Sequence, residues 1–274
     1  MKIKIAVVQF EIKQFSPSYN IKKAERYIVE ASSAGADIIV FPEDFITGPI
    51  EGKIEFADPE HNYIKYFQNL AKKHKIDIIP GSIIEKSKSG IYNTAYYIDF
   101  NGKIKSMYRK INLWHPERSY INPGNKVKVF NTRFGKAGLI ICWDIIFPEV
   151  FRKMSKEGVE LVFCPSYWCY GDNGIGVKHD KNSEIKLIDS LCVARAFENE
   201  IIFIYCNPAG KLDLRIGKNR IKDKLLGRSQ ISVPFKGSIK KLKHSREKMF
   251  IQEVDTSILL DAEKVYKIRK DLMN

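Results

Sequence analysis

The residue of this chain best placed for covalent chemistry is a cysteine at the end of a predicted strand. Cys142 closes the apolar run that begins at Gly138, and Phe147-Pro148-Glu149, where a helix can start, follows shortly after it. A side chain at such a strand-to-helix turn stands clear of the sheet, close to the free amides of the coming helix. The position suits a nucleophile. A lone Cys in an apolar strand is more often a small packing residue, so the assignment depends on what other segments supply.

Two other segments end in a carboxylate and an ammonium that could activate a thiol. Asp37 to Phe41 is apolar enough for a buried strand, and Glu43 comes just after it, where open α/β sheets place their chemistry. Lys110 follows Lys103 to Arg109, the predicted second strand of a hairpin that turns at Asn101-Gly102. The carboxylate could take the thiol proton, and the ammonium could stabilise the thiolate and a later oxyanion. Each residue alone is more often a solvated surface group.

Three motifs stand in order along the chain: Phe41 to Glu43, Tyr108 to Leu113, and Gly138 to Glu149. Together they resemble the nitrilase superfamily of carbon-nitrogen hydrolases. The resemblance extends over nearly the whole chain through further motifs, namely Val7 to Gln9, Asn93 to Ala95, Asn122 to Gly124, Ala194 to Asn199 and Gly227 to Ser229. Several separate motifs in the right order form a specific signal.

The resemblance implies a four-layer αββα sandwich, in which two sheets pack face to face with helices outside. Hydrophobic periodicity by itself predicts only the α/β class. The resemblance also implies catalytic roles for Cys142 as nucleophile, Glu43 as base and Lys110 as the stabilising cation. A second glutamate of the family falls between the Lys and the Cys, at Glu117. The alternative for Glu117 is a surface pair with Arg118 or a nearby lysine.

The reaction implied by the resemblance is hydrolysis of a non-peptide carbon-nitrogen bond through a thioester on Cys142, with no cofactor. Lys110 and the backbone amide of Trp143 would hold the developing negative charge. Small amides or carbamoyl compounds are favoured as substrates, because Asp144 stands where nitrilases usually have Glu after Cys-Trp. Three alternatives stay open: a nitrilase, an acyl transferase that passes the acyl group to an amine, and a basic binding protein with a vestigial triad.

The substrate pocket is expected to be lined by the loops that carry these groups. The candidate lining residues are Phe45, Trp114, His115, Trp143, Tyr167 and Trp168. Any of these aromatic side chains could instead belong to the core, because aromatic residues contribute much of the packing in protein interiors.

Length and composition agree with a single carbon-nitrogen hydrolase domain over residues 1–274. A chain of 274 residues is long enough for one large α/β core. No segment has the length of an uncharged membrane span, and no secretion signal precedes the first predicted strand, so a cytoplasmic protein is expected. The resemblance implies a homodimer or a larger homo-oligomer.

Cysteine usage argues for reduced thiols and against a metal site. The chain has five cysteines, an odd number, which does not favour a disulfide framework. Cys164, Cys192 and Cys206 lie in apolar strand or helix patterns and are predicted to be packing residues. Cys164 and Cys169 are too far apart for a tight zinc knuckle, and no His pair stands nearby with ligand spacing, so no metal is expected.

The chain carries a large positive charge, since 46 Lys and Arg residues against 32 Asp and Glu residues leave +14 at pH 7. Such a charge could attract nucleic acid or an anionic membrane. The basic residues are nevertheless dispersed, with local clusters only at Lys218 to Lys224 and Lys236 to Lys248, and no nucleic-acid-binding module accompanies them. The expected partner is therefore a small-molecule amide or nitrile, and neither nucleic acid nor a membrane.

The chain shows an alternation of predicted strands and helices. The predicted strands are residues 3–10, 37–41, 77–84, 103–109, 127–130, a strand ending at Cys142, 161–164, 201–206, 228–233 and 249–254. The predicted helices are residues 20–33, 62–74, one that begins at Pro148 and ends at Gly158, 182–198, and one that begins near Thr256. This alternation is typical of the α/β class.

Overall fold

Two β-sheets and the helices around them make up most of the fold. The computed structural model describes residues 1–58, 61–171, 175–216 and 219–272. The strands are β1 (Lys2–Gln9), β2 (Ile38–Val40), β3 (Asp77–Ile79), β4 (Ser82–Ser87), β5 (Gly90–Ile98), β6 (Ile104–Arg109), β7 (Val129–Thr132), β8 (Gly135–Leu139), β9 (Leu161–Pro165), β10 (Ile202–Cys206), β11 (Lys211–Ile216), β12 (Asn219–Lys224), β13 (Gln230–Val233), β14 (Gly237–Lys241) and β15 (Lys248–Asp255). The α-helices are α1 (Pro17–Ser33), α2 (Asn62–His74), α3 (Pro148–Lys156), α4 (Gly176–His179), α5 (Ser183–Glu198), α6 (Ser257–Tyr266) and α7 (Ile268–Asp271). Short 3-10 helices span Ile54–Phe56, His115–Ser119 and Cys142–Ile146.

Both sheets have parallel strands at their centre. The first sheet has the order β15-β1-β2-β3-β5-β4, with β6 paired to β5, and the second has the order β14-β13-β10-β9-β8-β7. Strands β1, β2 and β3 run parallel, as do β8, β9 and β10. Ligand sites of α/β sheets form beyond the carboxyl ends of such strands. Glu43 follows β2 and Cys142 follows β8, so each stands at a position of this kind.

The residues of β1 show how the layers are built. Ile3, Ile5 and Val7 pack in the core that the two sheets share. Ala6 and Val8, on the opposite face, pack with the buried residues of α1 and α2. This alternation follows from the two-residue period of a strand, and both faces are apolar because both are covered. With α3 and α5 packed on the second sheet, the architecture is the expected four-layer αββα sandwich.

The strand predicted over residues 77–84 is wrong as a single element, because it divides into β3 and β4. Gly81 lies at the break with φ +59°, in the left-handed region. An ideal Cβ at Gly81 would lie only 1.8 Å from the backbone oxygen of Pro42, so this close approach requires glycine. The break therefore packs the turn after β3 against the segment that leads to Glu43.

Three strands near the end of the chain were not predicted: β11, β12 and β14. β11 and β12 form a separate antiparallel hairpin, in which Arg220 Nε donates to Asp213 Oδ1 at 2.7 Å. Lys211 to Ile216 alternates polar and apolar residues, a signal that could have predicted β11. Lys218, the first residue of one predicted basic cluster, lies outside the described residues.

In the described part of the chain, no helix is long and apolar enough to cross a membrane.

Candidate active site

Cys142 lies on a sharp turn between β8 and α3. Its φ is +46°, a left-handed value that residues other than glycine seldom adopt. Cys142 is the first residue of a 3-10 helix, and α3 begins after that helix ends. An ideal Cβ at Gly138 would lie 2.3 Å from Met154 Sδ, so glycine on β8 allows α3 to pack closely on the sheet. This local geometry places the thiol beyond the end of β8, as the sequence predicted.

Glu43 occupies the corresponding place after β2 in the first sheet. Its backbone N–H donates to the backbone oxygen of Ser166 at 3.2 Å. Ser166 follows β9 in the second sheet, so this bond joins the loops of the two sheets. Glu43 is only 2% exposed. The candidate base therefore lies in the interior, where the ends of the two sheets meet.

Lys110 connects the two candidate carboxylates. Its Nζ donates to Glu43 Oε1 at 2.8 Å, and to Glu117 Oε1 at 2.9 Å and Oε2 at 2.7 Å. The Lys110 side chain is buried, and buried charges of this kind need such partners. The alternative of a surface pair for Glu117 is wrong, because Glu117 is buried and both its oxygens accept from the buried Lys110. Glu117 thus faces the interior together with Glu43.

Asn93, which the sequence analysis named in a motif but did not assign to the site, joins the same two carboxylates. Asn93 Nδ2 donates to Glu43 Oε1 at 2.8 Å and to Glu117 Oε1 at 3.3 Å. Its backbone oxygen accepts the N–H of Lys110 at 2.9 Å. A further donor, the Trp114 N–H, lies 2.7 Å from Glu117 Oε2. The predicted hairpin places Asn93 near Lys110, and that signal could have identified it.

The charged groups of this cluster shift one another's pKa values. Burial raises the pKa of Glu43, the charge of Lys110 opposes the rise, and Glu117 adds to it. Burial would lower the pKa of Lys110, but the carboxylates of Glu117 and Glu43 outweigh burial and place that pKa well above its usual range. Lys110 is consequently an ammonium at every accessible pH. Glu43 is a stronger base than an exposed glutamate.

The thiol of Cys142 contacts both the carboxylate and the main chain of a neighbouring loop. The Glu43 carboxylate and the Tyr167 backbone N–H both lie close enough to the thiol to influence its pKa or to have their own shifted by it. Burial raises the pKa of Cys142 well above its usual range, the negative charge of Glu43 adds to the rise, and Lys110 opposes it. The resting group is therefore a thiol with a carboxylate ready to accept its proton.

Comparisons with known proteins show the family to which this chain belongs. The family model described as carbon-nitrogen hydrolase matches residues 4–257. The chain belongs to the carbon-nitrogen hydrolase family. It is 35% identical to the 2-oxoglutaramate amidase of Bacillus subtilis over 77% of this chain and 78% of that protein. It is 32% identical to a probable nitrilase of Schizosaccharomyces pombe, over 93% of this chain and 89% of that one.

A solved structure supports the fold of this carbon-nitrogen hydrolase. The crystal structure of a carbon-nitrogen hydrolase from Helicobacter pylori superposes with a TM-score of 0.90. The superposition covers 99% of this chain and 95% of the other, at 21% sequence identity. The likeness shows that the two proteins share the four-layer sandwich.

Three tryptophans of this carbon-nitrogen hydrolase form a continuous aromatic wall, and one of them directly follows the thiol in sequence. The ring of Trp143 lies 4.5 Å from that of Trp114 and 5.5 Å from that of Trp168. Trp168 Nε1 donates to Glu184 Oε2 at 2.8 Å, and its backbone N–H donates to Asn207 Oδ1 at 2.7 Å. The sequence reasoning did not identify Glu184 or Asn207. Their bonds hold Trp168 in its place beside Trp143.

The predicted pocket role of Phe45 is wrong. Phe45 is fully buried and stacks on Phe41 with ring centroids 4.9 Å apart. It also contacts Phe10 and Phe67 by their edges, in the core between the first sheet and helices α1 and α2. A residue two positions after Glu43 can point away from the site because the chain turns at Asp44, whose φ is +51°.

The other two candidates for the pocket are His115 and Tyr167. His115 is exposed at the start of the 3-10 helix, with its ring 5.0 Å from that of Trp114. The Tyr167 side chain is partly buried, and the loop that carries it contacts the thiol through its backbone N–H. Their roles in binding substrate stay predictions.

None of the five cysteines, all of which lie in the described residues, forms a disulfide, and Cys164, Cys192 and Cys206 are buried among apolar residues, as predicted for packing residues. Within the described residues, no group of three or more His, Cys, Asp or Glu side chains could hold a metal ion.

Proposed function

We propose that this protein hydrolyses a small amide or carbamoyl compound at a non-peptide carbon-nitrogen bond, through a thioester on Cys142. The observation that carries the proposal is the cluster at Lys110. Its ammonium bonds to both Glu43 and Glu117, and the Glu43 carboxylate lies close enough to the Cys142 thiol for the two to shift each other's pKa. A base, a cation and a nucleophile thus stand within reach of one reacting carbon.

In the first half of the reaction, Glu43 takes the proton of Cys142, and the sulfur attacks the carbonyl carbon of the substrate. The carbonyl oxygen becomes an oxyanion, which Lys110 and the backbone N–H of Trp143 stabilise. The carbon-nitrogen bond then breaks. The leaving ammonia or amine takes the proton from Glu43, and the acyl group stays on sulfur as a thioester.

In the second half, water replaces the leaving amine. Glu43 takes a proton from the water, whose oxygen attacks the thioester carbon, and the same cation stabilises the second oxyanion. The acid leaves, and the proton on Glu43 returns to the sulfur of Cys142. Glu117 keeps the ammonium of Lys110 in place throughout, because it bonds to Nζ through both oxygens.

The substrate class is supported by residue 144 and by a relative. Asp144 stands where nitrilases usually have Glu, which favours an amide over a nitrile. The 2-oxoglutaramate amidase of Bacillus subtilis acts on an amide, by its name. A nitrilase stays the second candidate, because the relative in Schizosaccharomyces pombe is a probable nitrilase.

The test is a screen of small amides, carbamoylated amines and nitriles for release of ammonia. Mass spectrometry of the intact protein, quenched during turnover, should reveal the acyl group on the peptide that contains Cys142. Addition of hydroxylamine separates the two fates of the thioester, since an acyl transferase forms hydroxamate in preference to acid. Absence of ammonia release from every compound, or an adduct on a different cysteine, would refute the proposal.

Three further properties follow as proposals from the same assignment. We infer a single domain over residues 1–274, a homodimer or larger homo-oligomer, and a cytoplasmic location. The odd number of cysteines in the chain, five, supports a reducing compartment. Limited proteolysis, sedimentation analysis and cell fractionation test the three properties in turn.

A further inference from the structure

A buried carboxylate two residues after the thiol joins the segments that carry Cys142 and Lys110. Asp144 is completely buried and accepts four hydrogen bonds. Its Oδ2 accepts from Tyr108 Oη at 2.8 Å and from the Ile141 N–H at 3.0 Å. Its Oδ1 accepts from the Asn112 N–H at 2.8 Å and from Asn112 Nδ2 at 2.9 Å.

The four hydrogen-bond donors to Asp144 lie next to Cys142 or on either side of Lys110 in the sequence. Ile141 immediately precedes Cys142, so one bond fixes the start of the strained turn. Tyr108 and Asn112 stand two residues before and two residues after Lys110, so the other bonds fix the Lys110 segment on both sides. One carboxylate therefore holds the nucleophile and the cation in a single rigid unit.

We propose that Asp144 is a positioning residue that sets the placement of the Cys142 thiol relative to the Lys110 ammonium. The inference rests on the proposed function, in which both groups act on the same carbonyl group. A left-handed conformation at a residue other than glycine persists only where its surroundings enforce it. Reacting groups also need their alignment to within a fraction of an ångström, since a misplacement of about 1 Å can lower a rate about a hundredfold.

Asparagine cannot replace this carboxylate. Each oxygen of Asp144 accepts a backbone N–H, from Ile141 at Oδ2 and from Asn112 at Oδ1. In either orientation of an Asn side chain, its NH₂ group would face one of these N–H groups, and two donors cannot bond to each other. Glutamate would add a methylene at a site with no exposed surface. The network is therefore specific for Asp.

A second buried aspartate provides a matched control at a distance from the thiol in the fold. Asp77 on β3 is 1% exposed, and it accepts from Tyr97 Oη at 2.6 Å and from the Phe100 N–H at 2.9 Å. It thus shares with Asp144 a tyrosine hydroxyl and a backbone N–H as donors, and in addition it pairs with the half-exposed Arg133 at 3.4 Å. None of these partners of Asp77 adjoins Cys142 or Lys110 in the chain.

The experiment compares Asp144→Asn with Asp77→Asn, using an amide that the wild-type enzyme hydrolyses. Both variants should unfold at lower temperature. For folded protein, Asp144→Asn should lower kcat at least about a hundredfold and change KM less than about threefold. Asp77→Asn should keep kcat within about threefold of the wild type. Equal kcat losses in the two variants, or a folded Asp144→Asn enzyme with nearly normal kcat, would overturn the proposal.

Milder variants keep the test decisive if Asp144→Asn does not fold. Tyr108→Phe removes one donor to Asp144, and Tyr97→Phe removes the equivalent donor to Asp77. Tyr108→Phe should lower kcat roughly tenfold at unchanged KM, whereas Tyr97→Phe should not. Equal effects of the two changes would count against the positioning role.

A readout without turnover separates this inference from the proposed function. The rate at which iodoacetamide alkylates Cys142, followed by peptide mass spectrometry, depends on the placement of Lys110 and Glu43 around the sulfur. Tyr108→Phe should shift the pH dependence of this rate, and Tyr97→Phe should leave it unchanged. If the wild type hydrolyses no amide but this shift appears, the proposed function fails and the positioning role stands. If amides are hydrolysed but the shift is absent, only the positioning role fails.

Discussion

Replacement of Lys110 by methionine tests the charge cluster most directly. The change keeps an unbranched side chain but removes three charged hydrogen bonds, at 2.8, 2.9 and 2.7 Å, from Glu43 and Glu117. Two carboxylates then stay buried without their cation. Removal of one partner from a buried ion pair costs about 3–5 kcal/mol, which is a large part of the roughly 5–15 kcal/mol that stabilises a typical protein.

The loss should depend on pH in a specific direction. In the unfolded chain of Lys110→Met, a glutamate loses its proton near the ordinary pKa of 4.5. In the folded variant, one of the two buried carboxyls keeps its proton to a higher pH. The free energy of unfolding is then highest below pH 4.5 and falls as pH rises toward the folded pKa. Between these two pKa values the slope approaches about 1.4 kcal/mol per pH unit, so the variant should be less stable at about pH 7.5 than at about pH 5.5.

Urea unfolding followed by far-ultraviolet circular dichroism at these two pH values measures the effect. The control is Lys2→Met, which removes an exposed partner of Glu253 and should change neither stability nor slope noticeably. The activity of Lys110→Met should fall by at least about two decades, by analogy with the removal of an oxyanion donor. A variant with the pH slope of the wild type, or with nearly normal rates, would refute the reasoning about the cluster.

Three more predictions concern the thiol, the base and the surface charge. Cys142→Ala should abolish turnover while Cys169→Ala keeps most of it, and ammonia release by Cys142→Ala would contradict the assignment. Because burial raises the pKa of Glu43, kcat/KM of the wild type should fall as pH decreases through a value above 4.5, and a fall only at or below pH 4.5 would be inconsistent with this pKa shift. The variant Glu43→Gln should be folded but inactive. Binding to DNA or RNA should be weak and largely lost at physiological salt, so submicromolar binding at that ionic strength in a gel-shift titration would show a second role for the basic clusters.

The identities of the central groups follow from local sequence. Glu43, Lys110 and Cys142 each stand just after a segment whose apolar pattern predicts a strand, and local patterns are what sequence reports well. Helix α2 was predicted with its observed bounds, because Phe67, Leu70 and Ala71 recur at helical spacing. The four-layer arrangement, in contrast, came from the order of the motifs and not from periodicity.

Other features depend on contacts between distant segments. Asn93 bonds to a carboxylate 50 residues away in the sequence, and Asp144 bonds to Tyr108 over 36 residues. Phe45 lies only two residues after the base, yet it packs in a different core. The sequence next to each of these residues does not predict these distant partners.

The physical reason lies in what each level of structure decides. The apolar character of a segment and the spacing of its apolar residues are local properties, and they predict where strands end. The sequence alone therefore determines that a carboxylate, an ammonium and a thiol lie at the ends of strands. Which face of a turn points toward the site depends on φ at single residues, such as Asp44 and Cys142, and on how the two sheets pack. Only the tertiary structure therefore decided that Glu117 joins Glu43 at one ammonium, and that Asp144 holds that ammonium and the thiol in place.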